Sequence, residues 1–200
     1  MVQKYKNTAV RQKQIIDAAR KLIIKYGSEH LTVRRIAKEV GISEGAIYRH
    51  FKSKRDILSF LADYIEDDLL GGVVVKADVS GYTWLETLDS IIRKHLSAIE
   101  QRRGISFQVI AEIISLGDKK LNRKISDTIN KYITRLKDLL TEAARAGEVR
   151  EDINLEVAAT LLFDMIQGLV NTWALSNYDF DLQQKYLPLW NIFREAVVKR

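Results

Sequence analysis

The side chains best suited to recognise a nucleic acid lie in the segment from Thr32 to Lys54. The guanidinium groups of Arg34 and Arg49 can each donate two parallel hydrogen bonds to a guanine base. The ammonium group of Lys54 and the backbone N–H groups at a helix N-terminus can neutralise phosphates and fix the register of a protein on a duplex. These residue types therefore predict a polyanionic partner, with DNA as the first candidate.

Two short helices must position these side chains. Thr32 and Ser43 are suitable N-caps for them, and the first of the two helices should end at Gly41. Gly41 allows the positive φ that a tight turn needs, and the small Ala37 lets the two helices cross closely. The second helix should end near Phe51 and present on its outer side Glu44, Gly45, Ala46, Tyr48, Arg49 and His50. Two helices with a tight glycine-containing turn describe a helix-turn-helix.

The distribution of charge supports the same segment. The chain has 200 residues, with 32 Lys and Arg against 26 Asp and Glu, so its formal charge is +6. Residues 1–58 hold 14 basic and 5 acidic side chains, or +9, and the remainder carries −3. A basic N-terminal region on a mildly acidic remainder indicates a polyanionic partner more specifically than the total charge does.

Helical periodicity continues along the rest of the chain, which has one Pro and ten Gly. A first helix should end at Gly27, and Ser53 should cap a fourth helix that frays at Gly71. Further helices are expected at about residues 83–100, 105–116, 119–146, 155–176 and 181–198. Residues 73–75 could form a strand, but no partner strand is evident. Pro188 should kink the last helix.

The sequence lacks the patterns of the common enzyme classes. It has no phosphate-binding glycine loop and no serine nucleophile elbow. The absence of Cys excludes disulfides, thiolate metal sites and cysteine nucleophiles. The three His are scattered, without the spacing of metal ligands. We therefore expect no enzyme, no cofactor and no metal.

No membrane segment is expected. The start of the chain lacks the apolar run of a signal peptide, and Asp164 interrupts the longest apolar stretch, Val157 to Val170. A cytoplasmic location is expected. The alternative is an amphipathic helical protein of membrane surfaces or of protein partners, which would bind anionic vesicles rather than a defined duplex.

The run from about Arg11 to Leu58 resembles the DNA-binding domain of the TetR family of transcriptional regulators. The matching features are Ile15-Ile-x-Ala-Ala, Leu22 to Gly27, Thr32-Val-x-x-Ile-Ala-x-x-Val-Gly41, Ser43-x-Gly-x-Ile-Tyr48-x-His-Phe51 and Lys52-Ser-Lys54-x-x-Ile-Leu58. The resemblance covers about a quarter of the chain. A weaker pattern, Gly168-Leu-Val-x-x-Trp173, lies near the helices that form the dimer in this family.

The resemblance implies an all-α protein with an N-terminal three-helix helix-turn-helix DNA-binding domain, residues 1–53. A helical ligand-binding and dimerisation domain, residues 54–200, should follow it. It further implies a homodimeric, ligand-responsive transcriptional regulator, most simply a repressor on a pseudo-palindromic operator, which a small effector releases. An activating or ligand-independent regulator is the alternative.

The positions that match the family's motif imply a set of DNA-binding residues. At the start of the second helix Thr32 and Arg34 would meet DNA. Glu44, Gly45 and Ala46 would face base edges, and Tyr48, His50 and Lys54 would hold phosphates. Ser43, which caps the third helix, and Arg49 complete the set. The predicted DNA-binding residues are Thr32, Arg34, Ser43, Glu44, Gly45, Ala46, Tyr48, Arg49, His50 and Lys54. Because the base-facing trio is poor in donors, Arg34, Arg49 and DNA shape should supply much of the discrimination.

Aromatic residues, and polar residues within apolar runs, are the candidates for an effector site: Tyr64, Trp84, His95, Phe107, Glu112, Tyr132, Phe163 and Asp164. For any single aromatic residue, ordinary core packing is the alternative. A buried unpaired carboxylate is costly, so Glu112 and Asp164 need a partner, a ligand or water. The aromatic residues favour a largely apolar effector.

Apolar residues cover more than half of the circumference of the helix at 155–176, which predicts burial on two sides. One side would face the rest of the subunit. The other would join the helix of Pro188 in the four-helix interface of a C2 homodimer, as in the TetR family. The expected interface residues are Leu161, Met165, Gly168, Leu169, Trp173, Leu189 and Phe193.

Overall fold

A computed structural model describes residues 2–71 and 82–199 of the chain. In these ranges it contains nine α-helices: α1 (Val2–Tyr26), α2 (Val33–Val40), α3 (Glu44–Tyr48), α4 (Lys54–Gly71), α5 (Trp84–Gln101), α6 (Ile105–Leu116), α7 (Lys119–Arg145), α8 (Leu155–Leu175) and α9 (Leu182–Val197). A 3-10 turn, Ser28–His30, precedes α2, and one isolated antiparallel bridge joins Val149 to Val198. The prediction of an all-α fold is confirmed.

Polar residues immediately before the helices fix where several of them begin. The Asn154 side chain accepts hydrogen bonds from the N–H groups of Glu156 and Val157 at the start of α8. Thr83 and Glu86 form a reciprocal capping box at the start of α5. These contacts satisfy N–H groups that have no partner within the helix.

The helix boundaries follow the predicted ones within a few residues. The clearest difference is α3, which ends at Tyr48 rather than near Phe51. The N–H groups of His50 and Phe51 both donate to the Ile47 carbonyl as the helix closes, and the Phe51 side chain lies in the core, 1% exposed. Pro188 lies inside α9 as predicted. The suggested strand at residues 73–75 lies outside the described residues.

The first of two compact units extends to Ile65 and includes Ile105–Ile125. In this unit α1 packs on α2, α2 packs on α3, and α6 contacts α1 and the 3-10 turn. The buried side chains form a continuous apolar set: Ile15, Ala19, Ile23, Leu31, Ile36, Ile47, Phe51, Ile57, Leu58, Leu61, Val109 and Ile113. The helices that carry the predicted DNA-binding residues therefore rest on a shared core.

The second unit comprises Glu66–Gly104 and the chain from Ser126 onward. Here α9 packs against both α5 and α8. Its interior combines aliphatic residues with large aromatic ones, among them Tyr132, Tyr186, Trp173, Trp190 and Phe193. The predicted division at residue 53 does not coincide with the boundary of these units, and the functional domains at 1–53 and 54–200 stay a prediction.

Candidate DNA-binding surface and effector site

The turn between α2 and α3 has the backbone geometry of a tight helix-turn-helix. Gly41 adopts φ 75° and ψ 36°, a left-handed conformation that is unfavourable for residues with a Cβ atom. The N–H of Ile42 donates to the carbonyl of Ala37 at 3.0 Å and closes α2. Ile36 and Ile47 are fully buried and hold the two helices together. The orientation of α3 is therefore fixed by packing.

Two predicted DNA-binding residues also cap these helices. Thr32 Oγ1 accepts a hydrogen bond from the N–H of Arg35, and Ser43 Oγ accepts one from Ala46, both at 3.2 Å. Each hydroxyl keeps its own proton, which remains able to donate to a phosphate oxygen. The caps thus place a hydroxyl at the start of α2 and of α3.

The remaining residues of the predicted surface face outward to different degrees. Arg34 on α2 is exposed, and so are Glu44, Gly45, Tyr48 and Arg49 on or next to α3, whereas Ala46 and His50 are half-buried. Tyr48 is 50% exposed, so it does not belong to the core. His50 Nδ1 is buried and has no hydrogen-bond partner among the described residues. The roles of these residues on DNA stay predictions.

Lys54 is engaged by a carboxylate. Its Nζ atom lies 2.5 Å from Oε1 of Glu112 on α6, and both side chains are half-buried. The structure thus pairs a residue predicted to hold phosphate with one predicted to bind an effector. This contact also supplies the partner that a sheltered Glu112 requires.

A cationic and aromatic cluster at the end of α1 was not foreseen. The ring of Tyr26 lies 5.0 Å from Lys25 Nζ and 5.8 Å from the Arg35 guanidinium carbon. A hydrogen bond with Tyr26 raises the pKa of Lys25 above its ordinary value. Tyr26 lies in the last turn of α1 and is 46% exposed, so its ring is open to solvent beside the two cations.

Three of the predicted effector-binding residues meet inside the second unit. His95 Nδ1 and the Tyr132 hydroxyl are 2.8 Å apart, and the rings of Tyr132 and Phe163 are 5.7 Å apart. Burial lowers the pKa of His95 to about 4 and raises that of Tyr132. The imidazole is therefore neutral at pH 7, and His95 and Tyr132 form a polar contact beside Phe163 within an apolar interior.

The other predicted effector residues lie elsewhere. Asp164 is exposed to solvent on α8. Trp84 lines a groove of about 390 Å³ with side chains of α7, including Arg135, Leu139 and Arg145. In the first unit Tyr64 accepts a hydrogen bond from Arg20 at 2.6 Å, and Phe107 is half-buried. The eight residues thus do not form a single cluster within either unit.

The predicted dimer residues also divide by exposure. Trp173, Phe193 and Leu169 are buried within the subunit, Met165 and Leu189 are half-buried, and Leu161 and Gly168 are exposed. Other exposed apolar side chains of the same two helices were not predicted: Val157, Leu175, Leu187 and Ile192. Each helix has one face that packs inside the subunit and another that is turned to solvent. The predicted set includes residues of both faces, so it divides into buried and exposed members.

No helix in the described parts of the chain has the length and hydrophobicity needed to cross a membrane. Nor do His, Asp and Glu side chains there assemble into a group that could hold a metal ion.

Comparison with known proteins identifies the family to which this architecture belongs. Residues 15–59 match the family model described as bacterial regulatory proteins, tetR family, and residues 75–195 match that of the YsiA-like protein, C-terminal region. The chain belongs to the TetR family. It is therefore a transcriptional regulator rather than an enzyme, in agreement with the prediction from sequence.

Curated relatives match most of the chain. The fatty acid metabolism regulator protein of Bacillus subtilis is 29% identical over 84% of this chain and 86% of that protein. The nucleoid occlusion factor SlmA of Idiomarina loihiensis is 23% identical over 94% of this chain and 95% of that protein.

Solved structures of other regulators share the fold. Bacillus subtilis FadR in complex with stearoyl-CoA is 29% identical, covers 94% of this chain and 97% of that one, and superposes with a TM-score of 0.72. The fatty acid degradation regulator FadR of Bacillus halodurans is 23% identical, covers 92% and 94%, and gives 0.74.

Proposed function

We propose that this TetR-family regulator is a homodimeric repressor that binds a pseudo-palindromic operator and is released by a small effector with a long apolar chain. The observation that carries the proposal is the helix-turn-helix of α2 and α3. It presents Arg34 and Arg49 outward from a buried core, within an N-terminal region of charge +9. A short helix held on a buried core, with an arginine at its C-terminal end and another on the preceding helix, is suited to the major groove.

Exposed apolar side chains on the last two helices support the homodimer. Val157, Leu161 and Leu175 on α8 are 62%, 56% and 79% exposed, and Ile192 on α9 is 67% exposed. Aliphatic groups at this density favour contact with a second apolar surface. A C2 dimer buries these side chains, because its two-fold axis places the patch of one subunit against the same patch of the other. It would also set two recognition helices in successive major grooves.

The interior of the second unit supports an apolar effector. Tyr132 and Phe163 pack ring against ring there, and the one polar contact, between the neutral His95 and the Tyr132 hydroxyl, introduces no charge. The related Bacillus subtilis FadR was solved with stearoyl-CoA. We therefore infer that a long-chain acyl thioester is the effector class.

The effector can release the protein from DNA only if the effector and DNA prefer different shapes of the dimer. Helix α4 contributes residues 54–65 to the first unit and 66–71 to the second, so it is our candidate for the coupling element. An effector can weaken DNA binding only by the ratio of its affinities for the two shapes.

The first experiment is selection of genomic DNA fragments on the purified protein at low and at physiological salt. Enrichment of a pseudo-palindrome with half-sites about one helical turn apart supports a dimeric, sequence-specific regulator. Binding that disappears with salt, without any enriched motif, would instead indicate a general polyanion binder.

The effector class is tested on the selected operator. Fluorescence anisotropy should show release by stearoyl-CoA but not by CoA alone, which carries the same phosphates without the acyl chain. Equal release by both compounds, or no release by acyl thioesters of any length, would refute the proposed effector.

A further inference from the structure

The first turn of α4 carries two consecutive cationic residues, and both are held by carboxylates. Lys54 Nζ lies 2.5 Å from Glu112 Oε1, with 35% and 20% of the two side chains exposed. Arg55 reaches Asp118 through two nitrogen atoms, at 2.5 and 3.3 Å. The two positive charges at the start of α4 are therefore largely neutralised, one by Glu112 in α6 and the other by Asp118, which follows α6.

The two carboxylates differ in their other duties. Asp118 also accepts hydrogen bonds from the N–H groups of Lys120 and Leu121, at 2.9 and 3.0 Å, and caps α7. The Leu121 N–H and the Arg55 guanidinium lower the pKa of Asp118. Glu112 lies in the third turn of α6 and reaches Lys54 from the middle of its helix. Asp118 thus both pairs with Arg55 and caps α7, whereas Glu112 pairs with Lys54 and caps no helix.

A carboxylate and a phosphate compete for an ammonium group by the same chemistry. Both offer anionic oxygen atoms that accept charge-assisted hydrogen bonds. A half-buried ion pair is screened less by salt than an exposed one, so an incoming phosphate must displace or share a well-formed partner. While Lys54 is held by Glu112, its contribution to binding DNA is reduced.

We propose that Glu112 is an internal competitor of DNA phosphate for Lys54 and thereby sets the affinity of the regulator. The inference rests on the proposed function, since it assumes that the start of α4 meets a duplex. DNA binding then breaks an ion pair to α6, so any ligand that shifts α6 alters the availability of Lys54. Affinity is adjusted from a helix that carries none of the predicted base-reading residues.

The test compares DNA binding by the full-length wild type and E112Q, which removes the charge at nearly constant shape. The matched control is D63N, since Asp63 lies on α4 itself and pairs with Lys124. D63N changes the net charge by the same one unit but leaves Lys54 paired. Anisotropy titrations should use both the selected operator and an unrelated duplex over a range of salt, because a phosphate contact is independent of sequence.

E112Q should bind both duplexes roughly three- to tenfold more tightly, with a salt slope steeper by about one per subunit. D63N should stay within about twofold of wild type, the scale expected for one exposed charge. In the K54M background the effect of E112Q should vanish, which assigns it to Lys54. Thermal unfolding followed by circular dichroism checks that all variants fold.

Unchanged binding by E112Q would overturn the proposal. Weaker binding would also overturn it, because Glu112 would then position Lys54 for phosphate rather than compete with it. Failure of the proposed function looks different: the wild type would prefer no sequence, while the E112Q result on the unrelated duplex would still decide the role of Glu112.

Discussion

Among single residues, Arg34 and the side chains of α3 differ in the hydrogen bonds that they can offer to bases. Glu44 only accepts, Gly45 and Ala46 offer no side-chain donor, and Arg34 offers a planar donor pair. Since Arg34 is exposed on α2, it has the freedom to reach a base edge. Base discrimination should therefore depend on Arg34 more than on the first turn of the recognition helix.

We expect R34A to lose about 1–3 kcal/mol of binding to the operator and much less on unrelated DNA. The matched control is K38A, which removes another exposed cation of α2 and should weaken binding to both duplexes alike. Anisotropy titrations at one salt concentration measure both effects. Equal losses by R34A on the two duplexes would limit Arg34 to a phosphate contact.

His95 makes the stability of the fold depend on pH. Its pKa falls to about 4 because burial penalises the charged form, whereas an unfolded His titrates near 6.5. The unfolded chain binds the proton first, so the stabilisation is fully present above about pH 6.5 and is lost as pH falls towards 4. The loss amounts to about 3 kcal/mol. Urea unfolding at pH 7 and 4.5 should show this loss of unfolding free energy in the wild type and a much smaller one in H95Q. An equal loss in both proteins would show that His95 is not its cause.

Among the structural elements, the turn after α2 demands a particular backbone conformation. Gly41 has φ 75°, and apart from Gly41 itself and its two chain neighbours nothing lies within 4 Å of the position where a Cβ would stand. G41A should therefore destabilise the protein through backbone strain alone, by about 1 kcal/mol. G45A is the matched control, because Gly45 lies inside α3 and alanine favours a helix. Chemical unfolding should rank G41A below wild type and G45A at or above it; the reverse order would exclude strain at Gly41.

The start of α5 is capped from a distant part of the sequence. The carboxylate of Glu148 accepts hydrogen bonds from the N–H groups of Trp84 and Leu85 at 2.8 and 2.9 Å. E148A should cost about 1–2 kcal/mol because these helix donors lose their partner. E151A is the control: Glu151 follows three residues later, is 90% exposed and pairs only at the surface with Lys199. Similar unfolding free energies for the two variants would contradict the capping role.

The local elements were predictable because their signals are local. Thr32, Ser43 and Gly41 mark helix ends by their own hydrogen bonds and dihedral angles, so the sequence identifies α2 and α3 without tertiary information. Glu148 shows the opposite case, since its partners lie more than 60 residues earlier in the chain. Such a pairing depends on how the helices pack, which neither periodicity nor composition encodes.

For the whole molecule, the exposed apolar face of α8 and α9 bears on assembly. L161E places a carboxylate in the proposed interface and, by C2 symmetry, does so twice; burial of each unpaired charge costs about 2 kcal/mol or more. We expect the variant to sediment as a monomer at micromolar concentration. L116E is the control, since Leu116 is a comparably exposed apolar residue on α6. A dimer that persists in L161E would place the interface elsewhere.

The candidate effector residues were the least predictable part of the molecule. His95, Tyr132 and Phe163 come from three helices, and only their packing brings them together. Glu112 was selected as a polar residue among apolar neighbours, and that pattern is the same whether the partner is a ligand or a lysine. The sequence can show that a carboxylate needs a partner, but it cannot name the partner.

The separation of Glu112 from Arg34 and Arg49 has a consequence for how such a regulator evolves. If the ion pair on α6 adjusts the strength of DNA binding while α2 and α3 choose the sequence, the two traits can be inherited independently. A gene duplicate could keep its operator and change its threshold by one substitution at position 112. In a family alignment, residues 54 and 112 should then co-vary with each other and not with the recognition helix.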